Sequence, residues 1–427
     1  MQNTRTEVVV VGAGQAGIAM SEHLGQRGIN HIVLEKDRIA ERWRTGRWDS
    51  LVANGPAWHD RFPNREFGET APESFATKDQ VAQYFEEYAA QVGAPVRTGV
   101  QVTRVTRNEG RPGFTVETSD GTIEANYVVA ATGPFQKPVI PQIIPEDAPL
   151  NQIHSSDYRN PGQLPEGNVL VVGAGSSGVQ IADELHEAGR QVHLAVGPHD
   201  RPPRRYRGQD FCWWLGVLNK WEMSAPPQGA EHVTIAVSGA RGGQTVNFRA
   251  LGSKGLTLVG RASSYSNGVL GFDDDLAANV ARGDANYLSI LDEADAYIER
   301  NGLDFPQEPE ARDLGELPEC ITDPLSELDL QAAGITTIVW ATGFSVDYSW
   351  LEADTFDERG RPRHQKGVGQ EDGVYFLGLP WQSRRGSSFI WGVWHDAQYI
   401  ADQIGIQRAY AAHQPIAANA LSAAATA

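Results

Sequence analysis

Cysteine is almost absent from this chain. Cys212 and Cys320 are the only two among 427 residues, and they lie far apart. A disulfide framework and a local CxxC dithiol are therefore excluded, and a reducing compartment is expected. Basic residues are scarce relative to acids, 36 against 54, which leaves a formal net charge of −18. Such a surface repels phosphodiester backbones and anionic lipid, so neither nucleic acid nor membrane is an expected partner. Long apolar runs are also missing. The longest are strand-sized, too short to cross a bilayer as a helix. The first six residues are polar and do not fit a signal peptide, so a cytoplasmic location is expected. No metal site is expected either.

Glycine, in contrast, is plentiful at 45 residues, and its placement is informative. VVVVGAGQAG puts Gly12, Gly14 and Gly17 directly after an apolar β-branched run. NVLVVGAGSSG repeats the arrangement with Gly173, Gly175 and Gly178. Each run predicts a buried strand that turns into a helix. The glycines permit the tight turn, the approach of a pyrophosphate, and close packing of helix on strand. The helix N-terminus then offers unpaired N–H groups to phosphate. Two such units predict two dinucleotides and electron transfer between them.

The flanking residues make the two units unequal. HIVLEK predicts a second strand ending in Glu35, whose carboxylate would accept the ribose hydroxyls of an adenosine. In the second unit QVHLAVGPH has Ala195, Val196 and Gly197 at that place, and no acid. Arg201, Arg204, Arg205 and Arg207 follow closely. Missing acid and nearby guanidinium groups favour a 2′-phosphate, with Arg204 and Arg205 as its expected partners. The first site is thus expected to take FAD and the second NADPH. A solvated basic loop is the alternative reading of the arginines.

The order of elements predicts an α/β fold with two nested Rossmann-like dinucleotide-binding domains. The FAD domain would be discontinuous, 1–160 plus 335–427. The NADPH domain, 161–334, would be inserted with a Trp-rich stretch. Expected elements include a helix from Thr77 to Val92, a meander over residues 100–125, and a terminal helix from Gly392 to Ile404. The Ala-rich tail after it is expected to fray.

Together GAGQAG, Glu35, ATG at 131–133, GAGSSG and ATGF at 341–344 resemble the class B flavin-dependent monooxygenases, specifically the bacterial flavin-containing (CzcO-like) family. The likeness spans nearly the whole chain. His154-Ser-Ser-Asp-Tyr158 matches the second half of that family's fingerprint, while Ala148 and Leu150 replace the Phe and Gly of the first half. The resemblance implies hydride transfer from NADPH to FAD, then reaction with O2 to a C4a-peroxyflavin. That species would oxygenate a small organic substrate at N, S or C. A flavin-dependent NAD(P)H oxidoreductase that passes electrons to an acceptor is the alternative. Partners are molecular oxygen and a small molecule, with a homodimer as the expected assembly.

Candidate residues follow from the same sources. Asn54, in Asn-Gly-Pro56, resembles the family's Asn-x-Pro element and is the catalytic candidate, a donor beside the oxygenated flavin. A turn asparagine is its plain alternative. The first cofactor would be held by Gly12, Gly14, Gln15, Ala16, Gly17, Glu35, Lys36, Arg42, Trp43, Trp48, Val102, Thr132 and Gly133. His154 and Tyr158 would act at the domain junction, coupling the two nucleotides. The second nucleotide would meet Gly173, Gly175, Ser176, Ser177, Gly178, Arg204 and Arg205, with Ala341, Thr342 and Gly343 closing the linker. Gly378 and Ser388 would face the flavin, and Trp381, Phe389 and Trp391 would wall the substrate.

Overall fold

A valine run ending in glycine suits a parallel strand covered on both faces. In the computed structural model, which describes residues 4–228 and 233–413, Val8, Val9 and Val10 are fully buried at the centre of the first sheet. This sheet contains β1 (Thr4–Val11), β2 (His31–Leu34), β3 (Val96–Arg97), β4 (Val102–Arg107), β5 (Phe114–Thr118) and β6 (Gly121–Ala130). Strand β1 lies between β2 and β6, parallel to both. Strands β4, β5 and β6 form the expected antiparallel meander.

The second sheet contains β7 (Asn151–His154), β8 (Asn168–Val172), β9 (Val192–Ala195), β10 (Thr257–Val259) and β11 (Ile335–Trp340). All are parallel, in the order β10-β9-β8-β11-β7. Strand β12 (Val374–Phe376) then returns to the first sheet and pairs with the end of β6.

The nesting is as expected, but its boundaries shift. Residues 151–154 and 335–340 belong to the second sheet, so the expected cuts at 160 and 334 pass on the wrong side of two strands. An apolar strand pattern carries no label saying which sheet will pair with it.

Helix α1 (Gln15–Gln26) follows β1 directly, and α2 (Lys78–Gln91) starts on a capping box in which Thr77 and Gln80 exchange hydrogen bonds. Helix α3 (Ser176–Glu187) follows β8, and α4 (Leu276–Asn301) runs for 26 residues. Helix α5 (Ile390–Ala412) outruns its expected span. It packs on α1 through Ile18, Val393, Ala397 and Ile400 in one buried cluster. The Ala-rich tail from residue 414 lies outside the described residues. Among the described residues, no helix is long and apolar enough to cross a membrane.

Candidate active site

Each glycine turn closes by the same contacts. Gly12 and Gly173 have φ of +103° and +109°, a backbone that favours glycine. A Cβ on Gly12 would lie 2.8 Å from the carbonyl oxygen of Ala131, and one on Gly173 would lie 2.5 Å from that of Ala341. The two ATG segments are therefore the surfaces against which the turns are pressed. The third glycines are more constrained still. A Cβ on Gly17 would fall 1.8 Å from Gly12 O, and one on Gly178 1.7 Å from Gly173 O.

The middle glycines differ. Nothing lies within 4 Å of a Cβ placed on Gly14. This open cradle sits at the N-terminus of α1, beside Ala16, and suits a pyrophosphate. Glu35, at the end of β2, accepts from Ala13 N–H (2.8 Å) and Asp37 N–H (3.0 Å), and a carboxylate so held keeps lone pairs for ribose hydroxyls. Val100 N–H binds the Glu35 carbonyl, so the segment leading to Val102 flanks the same end. The Val102 side chain itself is in the core. Lys36 is exposed.

On Gly175 a Cβ would meet Thr234 Cβ at 3.3 Å. The segment carrying Thr234 is tied down on both sides. Ser176 Oγ donates to Ile235 O (2.9 Å), and Val237 N–H donates to Ser176 Oγ (3.3 Å). Gln180 Nε2 reaches Val237 O at 2.8 Å, and Ala236 N–H reaches Asp200 O at 2.8 Å. The Ser177 side chain makes no hydrogen bond among the described residues.

The expected phosphate arginines are mostly engaged elsewhere. Arg204 is buried and forks onto both Asp210 oxygens at 2.7 Å, and it donates to Asn54 O at 2.6 Å. Its guanidinium is committed to the protein, which corrects its expected phosphate role. Arg201 pairs with Asp284 and Arg207 with Asp295. Arg205 stays exposed, with one bond to Gly242 O at 3.1 Å. Sequence reasoning passed over Arg261, whose Cγ and Cδ lie 3.5 Å from a Cβ placed on Gly197, just past β9. It is half-exposed and pairs with Asp273 and Asp275.

Asn54 is a joint between the domains. Its Oδ1 accepts from Gln180 Nε2 at 2.9 Å, while its Nδ2 has no protein partner among the described residues. Its neighbour Gly55 donates to Asp60, which also bonds His59 Nδ1 at 2.8 Å. His59 stacks on Trp221 (centroids 5.2 Å apart) and lies edge-on to Trp391. This His–Asp pair in an aromatic box was passed over because its walls come from three distant segments.

The junction residues are structural ties. His154 is buried. Its Nε2 bonds Gly343 O at 2.9 Å, and its Nδ1 accepts from Ser156 N–H at 3.1 Å. Burial lowers its pKa, which favours the neutral ring. Tyr158 is fully buried and donates to Glu184 at 2.7 Å, and burial raises its pKa. Its hydroxyl is therefore held by α3. Trp48 lies in the core of the second domain. Arg42 stacks on Phe344, and Arg47 on Trp43 and Phe135. Neither forms an ion pair among the described residues. Burial, with Arg42 nearby, lowers Arg47 to about 10. Thr132 Oγ1 accepts from Gln136, and Gly133 has φ of +72°. Thr342 Oγ1 donates to Val139 O.

The C-terminal wall closes on the first turn. A Cβ on Gly378 would lie 3.2 Å from Ala16 Cβ, and Gln15 Nε2 donates to Ser388 O at 2.9 Å. Beyond that wall is a cavity of about 180 Å³, bounded by Trp381, Phe389 and Ser388 on one side and by Thr234 and Trp221 on the other. Trp391 does not line it. That residue packs behind, with a buried Nε1 that has no partner among the described residues. Two of its lining residues touch the glycine turns, Ser388 through Gln15 and Thr234 through Gly175.

Two turns of this kind, each at the end of a parallel strand in its own sheet, define a fold with two Rossmann-type dinucleotide-binding units. Residues 9–215 match the family described as pyridine nucleotide-disulphide oxidoreductase. An uncharacterized CzcO-like oxidoreductase of Geobacillus kaustophilus is 35% identical over 93% of this chain and 98% of its own. An indole-3-pyruvate monooxygenase of Oryza sativa subsp. japonica is 27% identical over 94% of this chain and 87% of its own. Among solved structures, a flavin-containing monooxygenase from Stenotrophomonas maltophilia aligns with a TM-score of 0.65 and 19% identity, covering 96% of this chain and 100% of that one. The chain belongs to the CzcO-like oxidoreductase family. It is accordingly an oxidoreductase.

Proposed function

We propose that the protein is an NADPH- and O2-dependent monooxygenase of a small organic substrate. The observation that carries this reading is a cavity whose wall touches the first turn through Gln15–Ser388 and the second through Thr234–Gly175. FAD, once reduced by NADPH, supplies the oxygen activation, and the protein supplies position, donors and dryness. The open Gly14 cradle, the α1 N-terminus and Glu35 would hold FAD. The second turn would hold NADPH once Thr234 gives way, with the exposed Arg205 and Arg261 as candidate cations for a 2′-phosphate. Asn54 would offer its unpartnered Nδ2 to the reacting oxygen while its Oδ1 stays fixed by Gln180. The His59–Asp60 pair sits behind Trp221 and Trp391, where it would orient the aromatic wall.

Electron transfer to a disulfide acceptor has little support from the cysteines. Cys212 is buried, and burial raises its thiol pKa well above the usual value, so its thiolate is disfavoured. The test is a substrate screen over amines, sulfides, aromatics and ketones with isotopically labelled O2. Incorporation of one labelled oxygen atom, coupled to NADPH oxidation, is expected. NADPH oxidation that yields only hydrogen peroxide across the panel, with fast reduction of an added acceptor, would sink the reading.

A further inference from the structure

The cavity lined by Trp381, Phe389 and Trp221 holds unmatched groups of opposite kinds. Arg385 lines it, partly buried, and its guanidinium makes no hydrogen bond or ion pair among the described residues. It lies over the Trp381 ring, 5.6 Å from the centroid. Asp200 lines the same cavity, also partly buried, and its carboxylate likewise has no hydrogen bond or ion pair among the described residues. Asn286, on α4, is on the wall as well, and its Oδ1 is buried with no partner. Thr234 and Ser388 add polar atoms to the wall, and Trp221, Trp381 and Phe389 are its largest apolar side chains.

Partly buried charges and buried amide oxygens without partners are costly, and a ligand that supplies the partners gains charge-assisted hydrogen bonds. One donor group, Arg385, lacks an acceptor. Two acceptors, Asp200 and Asn286 Oδ1, lack a donor. We propose that this cavity seats a zwitterionic substrate, an aromatic or similarly apolar α-amino acid. Arg385 reads its carboxylate, Asp200 and Asn286 read its ammonium, and the aromatic wall holds its side chain. A simple acid leaves Asp200 and Asn286 unmatched, and a simple amine leaves Arg385 unmatched. A phosphate suits the cavity worse, because it brings a second anion next to Asp200. The proposal rests on the monooxygenase reading, which makes this cavity the substrate space.

The test uses the FAD-loaded full chain and three probes: L-phenylalanine, 3-phenylpropanoate and phenethylamine. Binding is followed by quenching of protein tryptophan fluorescence, since Trp221 and Trp381 are on the wall. L-phenylalanine should bind at least about tenfold more tightly than either truncated probe. Arg385→Gln should erase its advantage over phenethylamine while keeping that over 3-phenylpropanoate. Asp200→Asn should do the reverse. Retained FAD and an unchanged melting temperature show that each variant has folded; Asn286→Asp, which keeps an acceptor and adds charge, serves if Asp200→Asn does not fold and should strengthen phenethylamine binding. Equal affinity for all three probes, or rankings that neither substitution alters, would overturn the proposal. NADPH-driven reduction of the wild-type flavin and labelled-oxygen incorporation are measured separately, so failure of the monooxygenase reading remains distinguishable from failure of the amino-acid seat.

Discussion

The first glycine turn and the second make the same backbone demands and differ in what lies over them. Both press their first glycine on an alanine carbonyl, and both leave no room for a Cβ on the third. Over Gly14 there is open space. Over Gly175 there is Thr234, on a segment held by Ser176 and Gln180. The GxGxxG pattern therefore fixes the shape of a turn and leaves access to it undetermined. Access is a tertiary property, set here by residues about sixty positions further along the chain.

The largest effects should fall where the two turns agree. Gly17→Ala and Gly178→Ala each force a methyl group into a backbone oxygen, and each should cost more than about 4 kcal/mol, read as loss of soluble protein. Tolerance of one but not the other would break the equivalence of the turns. Next in size is Arg204→Ala, which strands Asp210 in the interior and should destabilise by about 3–5 kcal/mol in thermal or denaturant unfolding. Arg261→Ala, on the surface, should change stability by less than about 0.5 kcal/mol. Its expected effect is a loss of preference for NADPH over NADH in flavin-reduction kinetics, and an unaltered preference would remove it from the phosphate site.

A smaller effect separates the middle glycines. Gly14→Ala puts a methyl group in the open cradle and should weaken FAD at least about tenfold, or about 1.4 kcal/mol, without lowering the melting temperature of the FAD-free protein. Gly175→Ala should leave FAD affinity unchanged. The smallest shift should come from Thr234→Ala. It thins the cover of the second turn and should tighten NADP+ about threefold to tenfold in equilibrium titration, roughly 1 kcal/mol. Unchanged or weaker binding would mean that Thr234 does not restrict the turn.

Much of the fold was legible because its signals are local. Val8–Val11, Gly12 and Gly17 need no distant partner to be read as strand, turn and helix start, and Thr77 with Gln80 marks the start of α2 by itself. The sheet that β7 and β11 would join was not legible, since pairing is decided between segments. The arginines were read as charge alone. Asp210, six residues after Arg204, was visible in the sequence, yet nothing local says that the two are buried together. The His59–Trp221–Trp391 box and the Arg385–Asp200 pair arise where the inserted domain meets the C-terminal wall, and no spacing rule spans such distances.

The stretch from Trp48 to Asn54 belongs to the first domain by chain order and to the second by contact. Trp48 and Leu51 share a buried cluster with Val171 and Leu185, Ser50 bonds Glu184, and Asn54 is clamped by Gln180 and Arg204. Transplanting the inserted domain between relatives would therefore fail if the cuts were made only at its two ends. The donor's own version of this short stretch would have to travel with it, as a third piece of the graft.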